Sequence, residues 1–119
     1  MIIGISLVLV GITLIVAPMF ASAMYGVGVV DSTAQTYVRA AGIRDIAIGC
    51  WLLALAVLGA GRRVFGISVM AAAPIPAGDA IIVWVAAGTH SVAALALHSS
   101  SAIAFVALGF CLLRTAQEP

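Results

Sequence analysis

Long apolar segments fill this chain and leave it no way to fold as a water-soluble domain. Hydrophobic residues make up 65% of its 119 residues and charged residues only 8%, whereas a soluble domain carries roughly 25% charged residues. Because so few charges cannot cover a water-facing surface, we predict an integral membrane protein. A membrane-spanning helix needs about 20 apolar residues, so the chain has room for four such helices joined by short loops.

We therefore predict an all-α fold, a four-helix transmembrane bundle that forms a single membrane domain over residues 1–119. The predicted spans cover residues 2–20, 36–60, 64–86 and 93–114, followed by a short unstructured tail over residues 115–119. Gly4 and Gly11, seven residues apart, predict a face of the first helix for close packing. Ala21-Ser22-Ala23 resembles a signal-peptide cleavage site, but no positive residue precedes the apolar run, so we expect this helix to be retained.

The third predicted helix is broken in its middle by Pro74 and Pro76. Each proline lacks an N–H group and clashes with the preceding turn. Freed backbone groups and an unwound turn are tolerated at membrane depth only where protein or water surrounds them. Asp79 follows directly, and a broken helix beside a carboxylate is typical of binding sites within membranes. A simple proline kink, with Asp79 in a structural salt bridge, explains the same pattern.

Arg44 and Asp45 are adjacent within the second predicted helix, about 12 Å from its start. Charged groups are costly in hydrocarbon, so an intramembrane pair indicates a functional site. Arg39 lies in the first predicted turn, where its side chain can reach the membrane surface. The segment Asp31-Ser32-Thr33 precedes this helix and is predicted to cap it.

The arginines also predict the orientation of the bundle. Arg62, Arg63 and Arg114 fall on one side if four helices cross alternately. The positive-inside rule then places this side, with both termini, in the cytoplasm of a multi-pass protein of the cell (inner) membrane. Arg39 lies on the opposite side.

Four ionisable side chains from three helices reach a similar depth in this orientation. They are Arg44, Asp45, Asp79 and His98. Two carboxylates near one permanent guanidinium charge would not both ionise readily, so one would be ion-paired and the other could exchange a proton. The candidate catalytic acid/base residues are Asp45, Asp79 and His98, and the candidate binding residues are Arg44, Arg39 and His90. The histidines are eight residues apart, which does not suit a helical metal pair, and we predict neither a metal nor a cofactor.

The leading hypothesis is a buried polar pocket that binds a small lipophilic molecule and could transform it by acid/base chemistry, which leaves open whether the chain is an enzyme. One alternative is a small proton-coupled transporter, and another is a structural or accessory membrane subunit whose Arg–Asp contact fixes helix register. The predicted partners are the lipid bilayer and the lipophilic ligand, and the chain could form a homo-oligomer. With a net charge of +1 and no lysine, the chain offers no basic patch for nucleic acid.

Two short motifs resemble a known family. Gly42-Ile43-Arg44-Asp45 followed by Gly49, and Gly78-Asp79 in the third helix, resemble domain-of-unknown-function family 4267, small four-helix membrane proteins of bacteria and fungi. The resemblance covers most of the chain. It implies a compact four-helix membrane bundle in which Arg44, Asp45 and Asp79 are the family-like polar positions, and it implies no established activity. The overall plan is also similar to DoxX-like membrane proteins.

Overall fold

The computed structural model describes residues 1–116, in which helices are joined by short turns and no strand occurs. The helices are α1 Ile2–Val16, α2 Pro18–Tyr25, α3 Ser32–Val57, α4 Arg62–Ala72, α5 Pro74–Ala87 and α6 Val92–Thr115, with a short 3₁₀ turn at Gly88–Ser91. The all-α prediction is confirmed. Thr115 of the predicted tail belongs to α6, and residues 117–119 lie outside the described residues.

Three helical segments of the described chain are long and apolar enough to cross a membrane. They are Ser32–Val57, Arg62–Ala87 and Val92–Thr115. The remaining apolar helix, α1, has 15 residues, which gives it a length of about 22 Å against a hydrocarbon core of about 30 Å. These helices indicate a small membrane protein, and the complete four-helix bundle stays a prediction.

The first predicted helix, over residues 2–20, is not continuous. Helix α1 ends at Val16, Ala17 leaves the helical conformation with φ −130° and ψ 61°, and Pro18 begins α2. A proline has no N–H to continue the helical ladder, and its ring disfavours helical geometry at the preceding residue. Pro18 accounts for the break, which divides the predicted first helix, and α2 continues beyond residue 20, where we expected that helix to end.

Residues Met1–Leu53 form one compact unit, in which α1 packs against α3 through paired glycines. Gly4 lies opposite Gly49, and Gly11 lies opposite Gly42. A Cβ atom added at Gly11 would lie 2.5 Å from the Gly42 carbonyl oxygen, and one at Gly42 would lie 2.6 Å from the Gly11 carbonyl oxygen. The two backbones are thus in direct contact, which confirms the predicted packing face and identifies what it packs against.

Helix α3 begins at Ser32, four residues earlier than predicted. The Asp31 carboxylate caps it, because its Oδ1 atom accepts a hydrogen bond from the Ala34 N–H at 2.8 Å, which confirms the predicted cap. The cap explains the earlier start, since it satisfies one of the N–H groups that a helix N-terminus leaves without a helical partner.

Residues Ala54–Pro119 form the second compact unit, in which α4 and α5 both pack against α6. Gly66 of α4 lies opposite Gly109 of α6, and a Cβ at either position would lie 3.0–3.1 Å from the carbonyl oxygen of the other. These helices therefore approach each other slightly less closely than α1 and α3 do.

The predicted break in the third span is confirmed, but it is mild. It falls at Ala73, between α4 and α5, and Ala73 keeps helical angles of φ −58° and ψ −33°. The Ala73 N–H bonds to the Met70 carbonyl at 3.1 Å, while Pro76 has no N–H to donate to the Ala72 carbonyl. The hydrogen-bond ladder is interrupted here without an unwound turn.

The same glycine arrangement recurs in both units. Gly-Ile-Ser occurs at residues 4–6 and again at residues 66–68, and in each unit its glycine faces a glycine on an antiparallel helix. Those facing residues, Gly49 and Gly109, are each followed by a Leu-Leu pair that begins three positions later. Within a membrane the hydrophobic effect does not drive helices together, because lipid tails are as apolar as the helices. Small residues let the helix backbones approach closely and associate through van der Waals contacts.

Candidate functional site

The two predicted charges of α3 form an ion pair. The Arg44 Nε–H donates to the Asp45 Oδ1 atom at 3.0 Å. The Asp45 side chain is 11% exposed and the Arg44 side chain 40% exposed, so the carboxylate is largely buried and the guanidinium is partly exposed. Pairing opposite charges reduces the penalty of placing either one at membrane depth.

The position of this pair along α3 differs from the prediction. Because the helix begins at Ser32, Arg44 lies about 18 Å from its start and near the middle of a helix of 26 residues. Asp45 shares the buried face of α3 with Gly42, Gly49 and Leu52. The carboxylate therefore occupies the face that carries the glycines in contact with α1.

Asp79 lies on the buried face of α5, one turn after Pro76 and one turn before Val83. The residue is 8% exposed. Asp79 is thus largely buried, two turns beyond the mild break at Ala73. The helix needs no strained geometry to place it there, since the spacing of the three buried residues is that of a regular helix.

His98 lies on the buried face of α6 and is also 8% exposed. Counting equal steps along the helices from the facing pair Gly66 and Gly109 places Asp79 level with Ala96. The two ionisable residues are then about 3 Å apart along the helix axis. They belong to helices that pack against each other, and helical counting predicts a similar depth for the carboxylate and the imidazole.

The two remaining candidate binding residues lie on the outside of their units. Arg39 is exposed on α3, about 120° around the helix from Asp45 at the helical repeat of 3.6 residues. His90 is exposed in the 3₁₀ turn between α5 and α6. A role for either residue in binding stays a prediction.

The buried groups can carry proton chemistry. A carboxylate and an imidazole can each give or take a proton, and both can hydrogen-bond a polar ligand atom. Within residues 1–116 no group of three or more His, Cys, Asp and Glu side chains is arranged to hold a metal ion. The convergence of all four predicted residues on one pocket stays a prediction.

One buried polar residue was not predicted. Ser22 of α2 is 3% exposed, and its hydroxyl donates to the Met19 carbonyl at 3.0 Å and accepts from the Val29 N–H at 3.2 Å. These bonds fasten the segment after α2, which indicates a structural role. The sequence carries a signal for it, since Gly26, with a φ of 99°, marks a helix end one turn after this serine.

Comparison with known proteins identifies a family and no individual relative. Residues 4–112 match the family described as Domain of unknown function (DUF4267), which confirms the resemblance inferred from the motifs around Arg44 and Asp79. No curated protein and no solved structure matches the chain significantly. The similarity to DoxX-like proteins stays a prediction.

Proposed function

We propose a function for this chain from its own residues, because it belongs to the DUF4267 family and that family has no assigned function. We propose that this small membrane protein binds the polar end of a small lipophilic molecule at Asp79 and His98. In this proposal the same two residues act as acid and base if the molecule is transformed.

The observation that carries the proposal is the burial of Asp79 and His98 on two helices that pack against each other. An ionisable side chain within a membrane-spanning helix is costly to insert, and such residues mark substrate paths and ligand sites. A carboxylate and an imidazole together supply a hydrogen-bond acceptor and a group that changes protonation near neutral pH. The surrounding helices are almost entirely apolar, which suits a ligand with a polar end and a hydrocarbon body.

The Arg44–Asp45 pair has a simpler explanation in this proposal. Asp45 already accepts a charged hydrogen bond from Arg44, and the two residues can fix the position of α3 without a ligand. We assign them a supporting role in this proposal, in which Asp79 and His98 contact the ligand. Proton-coupled transport, in which an aspartate would be the coupling site, stays the alternative.

The experiment is mass spectrometry of organic extracts from the purified protein. We expect a lipophilic molecule that co-purifies with the wild-type chain and is depleted at least tenfold in Asp79→Asn and in His98→Gln. Asp31→Asn is the matched control, because it also removes one carboxylate but keeps the cap of α3, and it should retain the molecule. Identical extracts from all four proteins would refute the proposal. Lower thermal stability of the Asp79 and His98 variants with unchanged extracts would instead support a structural role.

A further inference from the structure

We propose that three arginines at one end of the packed helices α4 and α6 bind the phosphate headgroup of an anionic phospholipid. These arginines are Arg62, Arg63 and Arg114. The proposal concerns residues outside the candidate site and does not depend on the proposed function.

The three arginines lie at one end of the same pair of helices. Arg62 and Arg63 precede Gly66 by about one turn, and Arg114 follows the facing Gly109 by five residues. Because α4 and α6 are antiparallel, these positions fall at the same end, within about 3 Å along the helix axis. All three residues are exposed and lie at one level of the two helices.

The local electrostatics favour an anion. Helix α4 has neither an acidic residue in its first turn nor a side-chain cap, while Arg62 and Arg63 place two cations at the positive end of its dipole. The first N–H groups of a helix also lack helical acceptors. No acidic side chain of residues 1–116 forms an ion pair with any of the three arginines. A phosphate would bring a negative charge to these cations and accept hydrogen bonds from backbone and guanidinium groups.

Arg114 is held in place without using its hydrogen-bond donors. Its guanidinium carbon lies 4.9 Å from the centre of the Phe110 ring, over the ring face. A stacked guanidinium keeps its N–H groups free to point outward in the plane of the group. The side chain is thus partly ordered before a ligand arrives, which reduces the entropy lost on binding.

The position of these residues in the spans identifies the source of the phosphate. Arg62 is the first residue of one candidate span, and Arg114 is one residue from the end of another. Basic residues at the ends of spans lie at the level of the lipid headgroups. The predicted orientation places this end in the cytoplasm, where the membrane surface is rich in anionic lipids.

The test measures lipid binding to the purified full chain by native mass spectrometry in a neutral detergent. The protein is titrated with dioleoyl phosphatidylglycerol or with dioleoyl phosphatidylcholine, which differ in headgroup charge. We expect tighter binding of phosphatidylglycerol. Since each arginine near a membrane surface contributes about fivefold in affinity, replacing all three with glutamine should weaken phosphatidylglycerol binding about 100-fold and leave phosphatidylcholine binding unchanged.

Two further variants keep the test decisive. Thr115→Val is the matched control at the same end, because the Thr115 hydroxyl bonds to the Cys111 carbonyl of its own helix, and it should bind like the wild type. Replacing the three arginines with lysine keeps the charge and should retain most of the affinity. If the triple glutamine variant does not fold, Arg63→Gln and Arg114→Gln should each show about a fivefold loss.

Three results would overturn the proposal. One is equal affinity of the wild-type chain for the two lipids, and a second is a loss in Thr115→Val as large as in the arginine variants. The third is displacement of phosphatidylglycerol by millimolar inorganic phosphate, which would identify a site for a free anion instead of a lipid headgroup.

Discussion

The contact between Gly11 and Gly42 makes the sharpest prediction about stability. A Cβ atom at Gly11 would lie 2.5 Å from the Gly42 carbonyl oxygen, 2.7 Å from Ile46 Cγ1 and 3.0 Å from the Ile46 nitrogen. Two of these three atoms belong to the backbone of α3, which cannot rotate away as a side chain can. Gly11→Ala therefore forces α1 and α3 apart by about 1 Å to reach an ordinary contact distance.

The expected loss is about 1–3 kcal/mol in the free energy of unfolding, the usual range for forcing an extra methyl group into a packed interface. Gly78→Ala is the matched control. A Cβ at Gly78 meets nothing within 4 Å among the described residues, and alanine favours a helix interior by about 0.5–1 kcal/mol over glycine. Gly78→Ala should therefore be neutral or stabilising.

The assay is reversible unfolding in mixed micelles, followed by circular dichroism as the fraction of denaturing detergent rises. Gly66→Ala adds an intermediate case, because its Cβ would lie 3.1 Å from the Gly109 carbonyl oxygen and a small shift relieves the contact. We expect the midpoint to fall most for Gly11→Ala, less for Gly66→Ala and not at all for Gly78→Ala. Equal midpoints for Gly11→Ala and Gly78→Ala would refute the backbone contact between α1 and α3.

Two further predictions concern charged side chains of the first unit. Arg44→Gln removes the charged donor from a largely buried carboxylate and should lower the free energy of unfolding by about 1–3 kcal/mol, toward the lower value because Arg44 is 40% exposed. The double variant Arg44→Gln/Asp45→Asn should recover part of this loss in the same detergent titration, and no recovery would contradict a direct pair. Asp31→Ala removes the cap of α3 and should cost about 0.5–2 kcal/mol, while Asp31→Asn should not. Equal melting temperatures for these two variants would argue against the cap.

Much of the helical architecture follows from the sequence, because long apolar runs leave few alternatives at membrane depth. The positions of Pro18 and Pro76 also mark where the hydrogen-bond ladder is interrupted. The prolines do not predict whether the backbone keeps its helical conformation at the interruption. It leaves that conformation at Ala17 and keeps it at Ala73. Such a difference depends on packing around the break, which local sequence does not encode.

The candidate site was only partly accessible from the sequence. The sequence predicted a similar membrane depth for Asp79 and His98, because the depth of each residue can be counted from the end of its span. The bond between Arg44 and Asp45 was less evident, since adjacent residues on a helix point about 100° apart and meet only if a long side chain folds back. The sequence did not predict which residues Gly4 and Gly11 contact, because those contacts depend on the antiparallel register of α1 and α3, which is a property of the tertiary structure.

The glycine contacts relate differently to the polar groups of the two units, and this difference bears on function. In the first unit, Asp45 lies between Gly42 and Gly49 on the face that touches α1, so its environment depends directly on the tightest backbone contacts. In the second unit, His98 lies 11 residues from Gly109, about 16 Å along α6. A carboxylate set between packing contacts suits a structural ion pair. The arrangement therefore supports Arg44–Asp45 as part of the scaffold, and the contact of Asp79 and His98 with a ligand stays a proposal.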